Sequence, residues 1–164
     1  MHDGKVFYAV EQGLCVFKLV GDISYTSVAA WGVFAERVLG RDDVVDVLVD
    51  LSEARYIDST NLGEMAKVAV IAHSRTGSKP AIVSANTEID SVIRCMGLNV
   101  VFTLLDAAEL PGAQLREVPG EVCDCSGQAR RILSAHRQLC ELSDRNRAIF
   151  SDVVAAFERE RDGA

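Results

Sequence analysis

A serine among capping residues is the group best placed to carry chemistry in this 164-residue chain. Asp58, Ser59, Thr60 and Asn61 follow a β-branched apolar run and precede residues that recur at helical spacing. The chain must therefore turn from strand to helix here, where unpaired N–H groups and the positive end of the helix dipole converge. A phosphate added to Ser59 would be electrostatically favoured at this point. Ser59 is thus a candidate phosphorylation site, and the simpler alternative is that its hydroxyl only caps the helix.

Two elements position this serine. Residues 44–51 combine β-branched and apolar side chains in the way that is typical of a strand buried on both faces, and we interpret them as the central strand. From Leu62 to Ala72 apolar residues recur at helical spacing, which predicts a helix over about residues 60–75. The residues between the strand and the helix are expected to form a loop that carries Ser59.

The remaining apolar runs predict an α/β fold. Residues 5–11 and 14–20 are separated by a Gln-Gly pair and predict a hairpin, after which residues 21–24 are expected to leave the sheet. The element order β-β-α-β-α-β-α-β predicts a mixed β-sheet of about five strands covered by helices. The predicted strands are 5–11, 14–20, 44–51, 81–84 and 100–104, and the helices between them end near Gly40, Gly77 and Gly97.

The last third of the chain is expected to be an appendage. Two Pro-Gly pairs and a Ser-Gly pair predict a linker over residues 111–127, between a domain over 1–110 and a helical extension over 128–164. Residues 128–161 lack Pro and Gly and have helical periodicity, so they form one long helix or two helices with a break near Ser143. Unbroken, the helix would be on the order of 50 Å long.

A helix of that length exposes an apolar stripe that must be covered. It folds back on the domain, pairs with a second copy of the chain as a homodimer, or packs on another partner. The stripe includes His136, Ser143 and Asn146, and these polar residues argue against a strong autonomous coiled coil.

Composition excludes several classes of function. The net charge of −7 leaves no basic stripe for nucleic acid. No apolar run reaches the ~18 residues of a membrane span and no signal peptide is recognisable, so we expect a cytoplasmic protein without membrane association. The five cysteines are expected to be reduced thiols. Cys123 and Cys125 lack histidines at a spacing that would complete a zinc site, so no metal or cofactor is expected.

The sequence also lacks the usual patterns of a catalytic site. No histidine is near a serine or cysteine along the chain with an acid to orient it, and neither G-x-S-x-G nor a phosphate-binding glycine loop occurs. The paired acids Asp42 and Asp43 lie in an ordinary turn. We therefore expect a binding protein and not an enzyme.

The residues around Ser59 resemble the signature of a known domain family. The signature D-L-S-x(5)-D-S-S-G-L-G of the STAS domain of bacterial anti-sigma factor antagonists is similar to Asp50-Leu51-Ser52 followed, after five residues, by Asp58-Ser59-Thr60-Asn61-Leu62-Gly63. The resemblance covers about residues 5–110 and implies an STAS-like fold. In that family the serine after the aspartate is phosphorylated by a partner that is both anti-sigma factor and serine kinase, which implies this role for Ser59.

The resemblance implies a regulator of transcription that works by partner switching. The unphosphorylated chain would capture an anti-sigma factor/serine kinase, phosphorylation of Ser59 would prevent the capture, and a phosphatase would restore it. The alternative is an STAS scaffold or ABC-transporter accessory subunit that binds its partners constitutively.

Two positions depart from the family pattern, and one helix face is a candidate partner surface. Asn61 stands where the family usually has glycine, and Ser24 replaces one acid of a motif near the second strand. The second face of the helix after Ser59 mixes charge with Val68 and Ile71, which either meet a partner or pack under a neighbouring element. The candidate partner-binding residues are Asp22, Ser24, Asp58, Ser59, Thr60, Asn61, Glu64, Lys67, Val68 and Ile71.

Overall fold

The computed structural model of the chain describes residues 3–28, 31–106, 108, 112, 114–120 and 124–163. Strands and helices alternate through most of the chain, and its last two elements are helices. The elements are β1 (Lys5–Glu11), β2 (Leu14–Ile23), α1 (Trp31–Leu39), β3 (Asp46–Ile57), α2 (Ser59–Thr76), β4 (Ala81–Val83), α3 (Thr87–Cys95), a 3-10 turn (Leu98–Val100), β5 (Thr103–Leu105), β6 (Arg116–Glu117), α4 (Cys125–Leu142) and α5 (Asp144–Asp162).

The described strands form one mixed sheet in the order β5-β4-β3-β2-β1-β6. β1 and β2 are antiparallel, with Lys5 opposite Val20, whereas β2, β3, β4 and β5 are parallel to their neighbours. β3 lies inside the sheet, and its residues 47–51 are all buried, as expected for a strand covered on both faces. The predicted α/β architecture with a central strand before Ser59 is therefore present.

The two strands that lead to Ser59 are longer than the sequence predicted. β2 continues through Gly21 to Ile23, residues that were expected to leave the sheet, and β3 continues to Ile57 through the expected loop. Register shifts after Lys18 and after Gly21 keep the two strands paired to their ends. Asp58 alone separates the end of β3 from α2, so the corner is much tighter than the predicted loop.

The segment predicted as a linker contains regular structure. β6 pairs with β1 in antiparallel register, Phe7 opposite Glu117, and Val118 is buried beside it. α4 begins at Cys125, ahead of the predicted start at residue 128. A strand of two residues between Pro-Gly pairs is too short to produce a periodic pattern, which explains why it was missed. The division of the chain into domains stays a prediction.

The C-terminal extension is a pair of helices that folds back on the domain. Ser143 lies between α4 and α5, and its hydroxyl caps α5 by accepting from the backbone N–H of Asn146 at 3.1 Å. α4 packs on α2, and α5 packs on α4. Leu139 of α4 and Phe150 of α5 are buried in the main hydrophobic core. The structure therefore shows a break near Ser143 and, of the alternatives for the apolar stripe, the fold-back.

The cysteines lie in different surroundings. Cys15 is buried in β2, where burial raises the pKa of its thiol to about 12. Cys140 is half-buried, Cys95 and Cys125 are exposed, and Cys123 lies outside the described residues. Within the described part of the chain, no group of three or more His, Cys, Asp or Glu side chains could hold a metal ion. No helix in that part has both the length and the apolar character needed to cross a bilayer.

Candidate functional site

The candidate site lies where β2 and β3 end and α2 begins. The backbone N–H of Asp58 donates to the carbonyl of Ile23 at 3.0 Å, which joins the ends of the two strands. Asp58 is the N-cap of α2, because its Oδ1 accepts from the backbone N–H of Asn61 at 2.9 Å. Its Oδ2 accepts from the backbone N–H of Tyr25 at 2.6 Å. One carboxylate therefore fixes the loop after β2 against the start of α2.

Ser59 is the first residue of α2, and its hydroxyl is held by α4. Asp58 is the cap, so the alternative in which Ser59 only caps the helix is wrong. Ser59 Oγ lies 2.9 Å from Nε2 of His136. Nδ1 of His136 lies 2.8 Å from the carbonyl of Ile132, which can only accept, so Nδ1 donates. In the tautomer whose Nε2 carries no proton, Nε2 accepts from the Ser59 hydroxyl. The sequence predicted a free hydroxyl at Ser59. In the structure the residue is half-buried and its hydroxyl is hydrogen-bonded.

The Ser59–His136 pair has the geometry of a nucleophile and a base. The two residues are 77 positions apart, which is why no histidine near Ser59 was visible in the sequence. The group that orients His136 is the Ile132 carbonyl, whereas catalytic histidines are usually oriented by a carboxylate. In the tautomer whose Nε2 carries no proton, His136 can orient the Ser59 hydroxyl and accept its proton.

Asn61 connects three helices at the site. Its side chain is fully buried. Nδ2 donates to Asp58 Oδ1 at 2.9 Å, and Oδ1 accepts from Trp31 Nε1 of α1 at 3.1 Å and from Arg131 Nη2 of α4 at 3.3 Å. Asn61 lies inside α2 and not in a left-handed turn, so the residue that replaces the family's glycine ties α1 and α4 to the start of α2.

Glu64 is a second polar residue buried beside the site. Its Oε1 lies 3.6 Å from Arg131 Nε and 3.9 Å from Lys67 Nζ. Among the described residues, neither Glu64 Oε1 nor Arg131 Nε has a hydrogen-bond partner. Burial raises the pKa of the Glu64 carboxyl above its ordinary value, although Lys67 and Arg131 oppose the rise. On the other side a Cβ on Gly32 of α1 would lie 2.8 Å from the carboxyl carbon, so Glu64 is enclosed between α1 and α4.

Gly63 allows α4 to approach α2 closely. A Cβ built on Gly63 would lie 2.6 Å from the carbonyl carbon of Ala135 and 2.8 Å from its Cα, far inside van der Waals contact. Ala135 is itself fully buried. Gly63 and Ala135 therefore mark the point where the two helix backbones are in contact.

The structure brings the candidate partner-binding residues together but does not leave them open. Ser27 Oγ donates to the carbonyl of Asp22 at 2.7 Å, and Arg55 Nη2 lies 3.2 Å from Asp22 Oδ1, so Asp22 is bonded to the loop after β2 and to β3. Of the two alternatives for the second face of α2, the structure shows packing: Val68 is buried in the hydrophobic core, and Ile71 is partly buried against it. A role of these residues in binding a partner stays a prediction. Thr60, Asn61, Glu64 and Val68 are buried, whereas Asp22, Ser24, Asp58, Ser59, Lys67 and Ile71 are half-buried.

The raised pKa of Glu64 makes one contribution to stability depend on pH. An acid whose pKa is raised in the folded protein stabilises the fold below its ordinary pKa, and this stabilisation is lost as the pH rises through the raised pKa. Glu64→Gln cannot titrate. We therefore expect the free energy of unfolding of the wild type, relative to Glu64→Gln, to increase as the pH falls from about 8 to about 4.

Denaturant unfolding of both proteins at several pH values measures this difference. Glu141→Gln, at an exposed position on α4, is the matched control for removing one negative charge. A difference between wild type and Glu64→Gln that stays constant with pH, or that changes no more than for the control, would contradict the assignment.

Comparison with known proteins identifies the fold. No family model matches the sequence, and no curated protein matches it. Among solved structures, the chain is similar to the crystal structure of an anti-sigma factor antagonist from Mycobacterium paratuberculosis, with a TM-score of 0.55 and 20% sequence identity. The likeness covers 63% of this chain and 86% of that chain. It confirms the α/β fold that the motif around Ser59 predicted, and more than a third of this chain lies beyond the shared fold.

Proposed function

We propose that the chain is an anti-sigma factor antagonist that regulates transcription in the cytoplasm by partner switching. The unphosphorylated form captures an anti-sigma factor that is also a serine kinase, phosphorylation of Ser59 prevents the capture, and a phosphatase restores it. The observation that carries the proposal is the division of roles at the start of α2. Asp58 caps the helix, so a phosphate on Ser59 would not remove the cap, although the hydroxyl must first separate from His136.

Electrostatics explains how the switch would act. Phosphorylation adds about −1.5 to −2 charges at pH 7. The added charge would stand next to Asp58 and near Asp22, on the side of the sheet where β2 and β3 end. A partner surface that is acidic or apolar would be repelled or would have to desolvate the phosphate. The chain itself performs no catalysis in this scheme.

Capture from a native lysate tests the switch. We expect wild type and Ser59→Ala to retain the same partner, and Ser59→Asp to retain at least about tenfold less, because like-charge contacts across an interface are strongly unfavourable. Ser74→Asp is the matched control, since Ser74 is an exposed serine in the last turns of the same helix. Incubation with ATP and the captured kinase should place phosphate on the peptide that carries Ser59. Phosphate on another residue, or equal capture by all four proteins, would contradict the proposal.

A constitutive STAS scaffold or transporter accessory subunit is the second candidate function. It is favoured by the hydrogen bond between Ser59 and His136, which holds the hydroxyl under α4. In that case Ser59 would have a structural role, and partners would bind elsewhere without regard to phosphate. Capture that is identical for wild type and Ser59→Asp, together with absence of phosphate on Ser59, would support this candidate.

A further inference from the structure

α4 covers a defined part of α2. We call four of the α2 residues that meet α4 the docking face: Ser59, Asn61, Gly63 and Glu64. α4 places His136 at Ser59, Ala135 at Gly63, and Arg131 at both Asn61 and Glu64.

The docking face sets two requirements for any helix that covers it. At Gly63 the covering backbone comes into contact with α2, so the covering residue must be small, as Ala135 is. At Glu64 a carboxylate that is 2% exposed faces the covering helix, and its cation on α2, Lys67, is 3.9 Å away. A buried carboxylate that is so loosely paired is unfavourable, so a second cation on the covering helix would stabilise it. The face therefore fits a helix with a cation and, one turn later, a small residue.

α4 meets the second requirement incompletely. Arg131 is only 9% exposed and lies 3.6 Å from Glu64, but Arg131 Nε and Glu64 Oε1 do not form a hydrogen bond with each other or with other described residues. Two buried charged atoms thus face each other with unused bonding capacity. A cation that donates directly to Glu64 Oε1 would bind the docking face better than α4 does.

The two C-terminal helices are tied to each other as well as to α2. Nη2 of Arg137 in α4 lies 2.5 Å from Oε1 of Glu158 in α5. The rings of His136 and Phe150 meet edge to face, with their centroids 5.2 Å apart. Near the turn between the helices, Asn146 Nδ2 donates to the carbonyl of Met96 at 2.8 Å, which anchors that end to α3. These α4–α5 contacts use no residue of the docking face, so the two helices can stay together if α4 leaves α2, at the cost of the core contacts of Leu139 and Phe150.

We propose that the docking face is the surface that binds the anti-sigma factor, and that α4 occupies it until the partner arrives. The partner displaces α4 with a helix that places a cation opposite Glu64 and a small residue opposite Gly63. The identity of the partner rests on the proposed function, whereas the displacement of α4 does not. Release of α4 also frees Ser59 from His136, so access to the hydroxyl and access to the docking face are linked.

Hydrogen–deuterium exchange of the intact wild-type chain tests the release. We expect the amides of α4 and α5 to exchange together, at least about a hundredfold faster than those of residues 47–51 in β3. The reason is that the two helices leave α2 without global unfolding of the chain. In Arg131→Ala the amides of α4 should exchange about tenfold faster than in the wild type. Arg130→Ala, which changes the exposed neighbouring residue, should leave the exchange of α4 unchanged. Exchange of α4 at the rate of β3, or equal effects of the two variants, would overturn the proposal.

A labelled peptide of residues 124–143 tests the recognition chemistry without a kinase. We expect it to bind full-length Arg131→Ala at least about tenfold more tightly than wild type, whose own tethered α4 competes at a high effective concentration. The same peptide with Ala135→Leu should bind about tenfold more weakly than the parent peptide. Equal binding to the two chains, equal binding of the two peptides, or no binding to Arg131→Ala overturns the docking face as a helix site. These outcomes do not depend on the result with Ser59→Asp.

Discussion

Gly63→Val is expected to lower the free energy of unfolding by about 3 kcal/mol and to move α4 away from α2. The new side chain would start 2.6 Å from the carbonyl carbon of Ala135, and backbone cannot rearrange as a flexible side chain does. The loss is expected although glycine inside a helix is itself unfavourable. Denaturant unfolding measures the free energy, and hydrogen–deuterium exchange shows whether the destabilisation is concentrated in α4 and α5.

Gly112→Val is the matched control, because a Cβ on Gly112 meets nothing within 4 Å. We expect it to change stability by less than about 0.5 kcal/mol. If Gly63→Val were as stable as the control, α4 would not be seated on α2 in solution. The docking face would then be open, and both the covered state of Ser59 and the competition with a partner would be wrong.

The corner that carries Ser59 was predictable because its signals are local. The buried strand, the capping residues and the helical spacing all lie within residues 44–76, and each depends on neighbours along the chain. The prediction was wrong about the length of the strand before Ser59. β3 extends to Ile57 because it stays paired with β2, and that pairing is a contact between segments about thirty residues apart that periodicity does not report.

The covering of the site was not predictable from the sequence. His136 and Arg131 lie 77 and 70 positions from the residues they contact, Ser59 and Asn61. Helical periodicity shows that α4 has an apolar face, but it does not show which surface the face covers. His136 and Asn146 interrupted the apolar stripe in the sequence, and the structure gives each of them a polar partner. Polar residues on an apolar stripe were the available sign of a specific contact.

The same residues explain why the site is both ordered and closed. Asp58 connects the loop after β2 to α2, and Asn61 extends that network to α1 and α4. If one residue of this network is replaced, a buried polar atom of another residue loses its hydrogen-bond partner. The stability of α4 on the docking face therefore depends on Asn61 as well as on Gly63.

Asn61→Leu is expected to lower the free energy of unfolding by about 3 kcal/mol, because two buried donors lose their acceptor. Trp31 Nε1 and Arg131 Nη2 both donate to Asn61 Oδ1, and Asp58 also loses the Asn61 Nδ2 donor. Asn61→Gly should be destabilising as well, although glycine matches the family signature, since it removes the same bonds and adds the cost of glycine inside a helix. Denaturant unfolding of the full-length variants measures both losses.

The control for Asn61 is Asn99→Leu, at an exposed asparagine in the 3-10 turn, for which we expect a change below about 0.5 kcal/mol. Tryptophan fluorescence gives a second readout, because Trp31 is the only tryptophan in the chain and its indole N–H donates to Asn61. We expect the wavelength of maximum Trp31 emission to shift in native Asn61→Leu and to stay unchanged in Asn99→Leu. A stable Asn61→Gly with unchanged emission would mean that the network does not hold α4, since the signature glycine would then serve the site equally well.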